Sequence, residues 1–404
     1  MSLPRKLWSF PWSYAESFLI GFALCVTAIA IQFFTRSFAP LPSFPVNIIV
    51  LCLFVIVLIL LFIFGRNNSL VQWMMSIPAT IGAVSFFGLI SLMMGLIPQF
   101  PQAPPTDILH NITESWLYFF SLVYILTVLG LVTLKRLVPF KVKNFGFQMN
   151  HLGLWIVLAG SSFGAGDMQR LTMETQLGKT EWIAFNRWGE PVEPGIAVEL
   201  KAFHIDFFEP SLQVYDTLTN KSVKRIKPAY LTQSKTSFTI GDYQVQVKEF
   251  YPEAMAMGDG FKSFIGPGSI PAAFVVAEKD GKKYEGWVNP QNRMIRGNTV
   301  YLDEGLALIL QPSQPKRYVS QVKVYSSSGT IITDSLQVNS PLYIDGWYLY
   351  QVSYNQEMGR WSETSTIELN KDPWLPVVYT GIFMLIIGSV FLFFRGSKIK
   401  EQTL

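Results

Sequence analysis

Charge is what this sequence has least of. Only 15% of its 404 residues are Asp, Glu, Lys or Arg, and half are apolar; soluble domains carry about 25% charged residues. The deficit is local: charges are sparse before Gly164 and frequent between Asp167 and Lys371. Two solvents are implied, lipid for the first part and water for the second. Cysteine is nearly missing as well. Cys25 and Cys52 both sit in apolar runs and no CxxC motif occurs, which excludes thiol–disulfide exchange and leaves the aqueous part without a staple. No GxSxG, HExxH or P-loop is present, and no GxGxxG opens a helix after a strand. The net charge of +4 is small and spread, with no basic stripe interleaved with aromatics, so nucleic acid is not an expected partner.

What is there begins with long apolar runs. A spanning helix needs about 20 largely apolar residues, and six stretches qualify: Ser17–Phe34, Pro45–Phe64, Val71–Ile97, Trp116–Leu134, Phe145–Gly164 and Trp374–Phe394. The first is too long for the apolar part of a signal peptide and lacks a small-x-small cleavage site, so it reads as a retained helix. Lys and Arg in short loops set the orientation. They gather at Arg5 and Lys6, at Lys135, Arg136, Lys141 and Lys143, and at Arg395, Lys398 and Lys400. The loop Gln99–Glu114 has none and Thr35–Phe44 has only Arg36. With both termini cytoplasmic, the basic loops fall inside and the long segment before the last helix falls outside. Tryptophans near the boundaries, such as Trp8, Trp12, Trp73, Trp116 and Trp374, fit aromatic belts.

That long segment reads as β. Alternating runs recur at Ala197–Leu200, Tyr243–Glu249, Ala273–Ala277, Tyr318–Tyr325 and Tyr348–Ser353, separated by Gly241-Asp242, Asp280-Gly281, Ser328-Gly329 and Asp345-Gly346. Asp-Gly pairs suit primed hairpin turns. About 200 residues suffice for one large or two small β-sandwich units. The expected organisation is a four-helix membrane region over 1–144, a fifth helix over 145–166, an extracytoplasmic β domain over 167–372, and a sixth helix with a cytoplasmic tail over 373–404.

Histidine is rare, and each of the three lies in a different setting. His151 falls about 9 Å into the fifth helix from its cytoplasmic end. An ionisable side chain there is costly and faces a bundle interior or a cavity. Gln148 and Trp155 share its face, and Gly153 and Gly160 thin the helix so that a flat ligand or another helix can come close. Two readings stand: a hydrogen bond to a neighbouring helix, or an axial ligand of haem iron. His110, in the outer loop beside Pro101, Pro104 and Pro105, is a polar loop residue or a second iron ligand. It cannot share an iron with His151, which lies at the other side of the bilayer. His204 alternates with Phe203 and Ile205 and is expected to face solvent.

Three segments resemble the ResB family of cytochrome c maturation, the system II haem-delivery pathway. They are Phe147-Gln-Met-Asn-His-Leu-Gly-Leu-Trp155 with Ala159-Gly160; Val338-Asn-Ser-Pro-Leu-Tyr343 with Gly346 and Tyr350-Gln351; and Lys371-Asp-Pro-Trp374 leading to Tyr379, Gly381 and Gly388. Val198-Glu-Leu-Lys-Ala-Phe203 with Ile205-Asp206 is a weaker echo. The resemblance implies a bacterial inner-membrane protein that pairs with a CcsA-like, Trp-rich partner to move haem b outward and attach it to apocytochrome c. It places His151 at the family's intramembrane haem-ligand position, favouring the ligand reading, and singles out neither His110 nor His204. Family members usually have about three helices before the outer domain, where this chain has five. Covalent attachment would belong to the complex, since the Trp-rich module is not in this chain. The alternative is a membrane scaffold whose β domain binds a partner or client without contacting haem.

Overall fold

The computed structural model of the protein describes residues 7–35, 42–100, 103–104, 107–219, 221–225 and 237–401. Arg5, Lys6, Arg36, Pro101 and Pro105 lie outside them. The chain divides into two compact units. One comprises Met1–Arg170, Arg187–Glu190 and Asn370–Leu404 and holds the helices; the other comprises Leu171–Asn186 and Pro191–Leu369 and holds most of the strands.

The helices are α1 (Tyr14–Thr35), α2 (Val46–Phe64), α3 (Ser69–Met74), α4 (Ile77–Leu96), α5 (Trp116–Leu137), α6 (Phe145–Phe163) and α7 (Leu375–Glu401). Five of them, α1, α2, α4, α5 and α7, are long and apolar enough to cross a membrane. The chain is a membrane protein. Helix α6 has the length but is not among the five; Gln148, Asn150, His151, Ser161 and Ser162 dilute its apolar character. The expected single span Val71–Ile97 is corrected to two helices. Ser76 is extended, and its hydroxyl caps α4 by accepting from the Ala79 amide. Pro78, with no N–H, then stands in the first turn of α4, where that donor is not needed. Helix α5 is the centre of the bundle, burying Leu122, Leu126, Leu129 and Leu131. With α1 and α4 it encloses Ala28, Ala79, Ala83, Phe86, Tyr124 and Ile125, and Trp73 closes one end by donating to Ser17 Oγ at 2.9 Å.

In the second unit the strands are antiparallel and form two large cores, each fed by two sheets, and a smaller one around Ala254, Phe261, Ile270, Ala272 and Ile295. The first core lies between a five-stranded sheet and a four-stranded sheet. The five-stranded sheet runs Gly260–Ser263, Tyr243–Met257, Ile270–Lys279, Lys282–Val288, with Ser237–Ile240 also on Tyr243–Met257; the other runs Val300–Tyr301, Leu306–Gln311, Ser211–Asp216, Lys221–Arg225. Val245, Val275 and Ala277 meet Leu212, Val214 and Leu308 there, all fully buried. The second core joins Ile196–Phe207 and Pro315–Ser326 of one sheet to Trp347–Tyr354, Thr364–Lys371 and Gln169–Gln176 of another, around Met173, Leu200, Val322, Leu336, Leu349 and Ile367. Every alternating run expected from the sequence falls inside one of these strands. Asp280-Gly281 and Asp345-Gly346 make the primed turns their residues suit, with positive φ at all four residues.

Candidate functional site

Helix α6 carries two faces with different tasks. Gly146, Gly153 and Gly160 recur every seven residues and make one of them. A Cβ on Gly153 would lie 2.7 Å from the Gly381 carbonyl oxygen, and one on Gly381 would lie 2.7 Å from the Gly153 carbonyl oxygen. The helices α6 and α7 therefore meet backbone to backbone. It is another helix, not a flat ligand, that the glycines of α6 admit. Asn150 adds a polar clasp, donating to Ser389 Oγ at 2.9 Å.

A second face meets α5. Trp155 Nε1 donates to the Leu126 carbonyl at 3.0 Å, against Gly130, and Gln148 Nε2 donates to the Thr133 carbonyl at 3.5 Å. Gln148 is buried, and its Oε1 has no partner among the described residues.

His151 stands at the edge of the α5-facing side, about 60° from Gln148 and 40° from Trp155. It lies two residues from Gly153, about 200° around the helix, and is half-buried. Its Nδ1 is 3.0 Å from the Phe147 carbonyl oxygen one turn back. A carbonyl can only accept, so Nδ1 carries the proton of the neutral ring, and Nε2 is left with its lone pair. Among the described residues nothing hydrogen-bonds Nε2. The imidazole stacks on the Phe147 ring, centroids 3.6 Å apart, and the Arg136 guanidinium lies 3.9 Å from the same centroid. Two groups that close cannot share one face of a benzene ring. Phe147 is therefore the middle layer of a His–Phe–Arg stack at the basic end of α5. The sequence motif singled out His151 but not this stack; the i, i+4 spacing of Phe147 and His151 was its one signal.

The other histidines stay apart from this site. His110 precedes α5 at the end opposite Gln148 and Thr133, so about 25 Å of helix separates it from the His151 turn. Its Nδ1 pairs with Asp107 Oδ2 at 2.8 Å, and its ring stacks on Phe100. The bond from His110 holds the Asp107 carboxyl below its ordinary value. His204 is half-buried opposite Val319, while Ile205 beside it is buried.

Sequence reasoning passed over a polar knot. Burial pushes the Asp167 carboxyl up, but three donors outweigh it and hold it below the usual carboxylate range. They are the Phe44 amide at 2.6 Å, Trp374 Nε1 at 2.6 Å and Asn47 Nδ2 at 2.7 Å. Asn47 also donates to the Phe163 carbonyl at 3.0 Å. One carboxylate thus ties the start of α2, the end of α6 and the start of α7.

Residues 141–366, more than half of the chain, match the model of the ResB-like family. The chain belongs to the ResB-like family. The match takes in α6 with His151 and nearly all of the strands. No curated relative matches the chain. Membership of the ResB-like family implies a role in cytochrome c biogenesis. His110 and helices α1 to α5 precede the matched residues.

Proposed function

We propose that this ResB-like chain is the haem-handling subunit of a system II cytochrome c maturation complex. It works with a CcsA-like, Trp-rich membrane protein and delivers haem b to apocytochrome c. Haem is cargo, and His151 Nε2 is the axial ligand that receives its iron. One observation carries this reading: the single ionisable side chain of α6 is fixed through Nδ1 and keeps an Nε2 with no hydrogen-bond partner among the described residues, beside the Arg136 end of α5. Arg136, on the other face of the Phe147 ring, offers a cation suited to a carboxylate edge.

On the same reading α6 is the sixth span. It is paired along its length with the apolar helices α5 and α7, and the basic loops then fall on the cytoplasmic side of a bacterial inner membrane. The β region, which we read as two sandwiches, stands outside. Covalent attachment belongs to the complex.

The test is haem content. The His151→Gly protein, purified with its partner, should lose most of its Soret absorbance, and added imidazole should restore it. Unchanged haem content in the variant would refute the ligand role.

A further inference from the structure

Three helix ends meet at Asp167. It follows the last turn of α6, and it accepts from the Phe44 amide just before α2 and from Trp374 Nε1 just before α7. Beside it lies a hollow of about 580 Å³, lined by residues of all three ends and within the size range of small-molecule sites.

The lining changes character along the helices. Ile48 and Val377 stand in the first turns of α2 and α7, and both side chains are exposed. Those helices are long and apolar enough to cross a membrane, so lipid is what touches this part of the wall. Asp167, Gln169 and Lys371 lie just outside the spans and make the rest of the wall polar. A wall that is apolar within the spans and charged beyond them has the same order of surfaces as a phospholipid, tails and then head. The lipid against Ile48 and Val377 therefore brings its head group to Asp167 and Lys371, and the charges there select it.

A carboxylate has about four acceptor positions. Oδ1 of Asp167 takes the Phe44 amide, and Oδ2 takes Asn47 Nδ2 and Trp374 Nε1. Among the described residues that leaves one position on Oδ1 without a donor. The Lys371 ammonium carries three donors, so it can serve a phosphate oxygen beside any bond it already makes. One anion and one cation in the same lining match a zwitterionic head group. The carboxylate discriminates further. A trimethylammonium has no N–H to give it, and a head group with phosphate alone meets it as a like charge.

We propose that this hollow binds a phospholipid with a primary ammonium head group. The phosphate lies at Lys371, the ammonium at Asp167 and the chains along Ile48 and Val377. The site is independent of the haem-handling reading, which concerns the other end of α6.

The experiment uses the full chain, stripped of lipid in detergent. Phosphatidylethanolamine, phosphatidylcholine and phosphatidylglycerol with identical chains are titrated in, and bound lipid is counted by native mass spectrometry. The protein should hold one phosphatidylethanolamine about tenfold or more tighter than either of the others. Phosphatidylethanolamine with a diazirine near the head of one chain should label residues 43–48 and 373–377. Lys371→Gln removes the cation and leaves the three bonds to Asp167 in place. Ile48→Trp fills the apolar wall with a side chain suited to the interface. Each should weaken phosphatidylethanolamine binding about fivefold or more.

Equal retention of the three lipids, a preference for phosphatidylglycerol, or no retained lipid would each overturn the proposal, whether or not either variant folds. Binding unchanged in both variants would do so too. So would labelling confined to the hollow of about 510 Å³ between α1 and α4, whose lining has no charged side chain and offers no choice of head group. Displacement by an equal concentration of glycerophosphoethanolamine, the same head without chains, would mark a site for a soluble ligand and overturn it as well. Haem content reads the His151 proposal separately and is untouched by any of these results.

Discussion

The Phe147 carbonyl claims the proton-bearing nitrogen of His151, so the ring arrives with one orientation and one open lone pair. Side chain and backbone of Phe147 do separate things here. The carbonyl fixes the tautomer, and the ring stacks between imidazole and guanidinium. Phe147→Ala keeps the carbonyl and removes the stack, worth about 1 kcal/mol. Haem titration should then show a loss of roughly fivefold in affinity, against near-complete loss for His151→Gly. Asp167 has a prediction of its own. Its carboxyl is depressed in the folded protein, so its contribution to stability is full above the unfolded value of about 3.9. It is lost as pH falls through the lower folded value. Asp167→Asn should therefore melt below wild type at pH 7, and the difference should shrink on acidification below pH 4, as read by thermal unfolding in detergent.

Glycine at seven-residue spacing decides which helices touch. Gly153→Val would drive a side chain into the Gly381 carbonyl and the Leu385 amide, 2.7 and 2.9 Å from its Cβ. Overpacking of this kind costs about 1–3 kcal/mol. Gly88 of α4 faces open space, so Gly88→Ala should be neutral or should stabilise by about 0.5–1 kcal/mol through backbone entropy. Parallel melts of the two variants separate packing from propensity. These elements were largely legible beforehand. Apolar runs gave the helices to within a few residues, and Asp280-Gly281 and Asp345-Gly346 gave two hairpins, because both signals are local. The interruption between α3 and α4 was written in Ser76 and Pro78, but the apolar run around them hid it. Asp167 was not legible. Its donors Asn47 and Trp374 lie 120 and 207 positions away, and no local pattern links such residues. The tautomer of His151 was equally hidden, since it depends on a backbone oxygen, whereas the motif holding His151 could be read directly.

The whole molecule joins a bundle in which α6 and α7 meet across the entire β region to strands whose pairings span most of that region. Its two large β cores share no buried residue, so damage should stay local. Leu308→Ala in the first core and Leu336→Ala in the second should each cost about 2–5 kcal/mol. Amide exchange should quicken chiefly in the sheets around the altered side chain. Uniform acceleration across both cores would show a single cooperative unit instead.

Trp374 Nε1 sits 2.6 Å from Asp167, which means the strand-rich stretch leaves and rejoins the bundle at one point. Topologically it is an insertion, of the kind chains tolerate when its two ends are neighbours. The helices need not wait for the slow search that distant β pairing demands. Splicing a few Gly and Ser residues in place of 171–369 should therefore still yield a bundle in which α6 and α7 clasp, detectable by a cysteine crosslink between them.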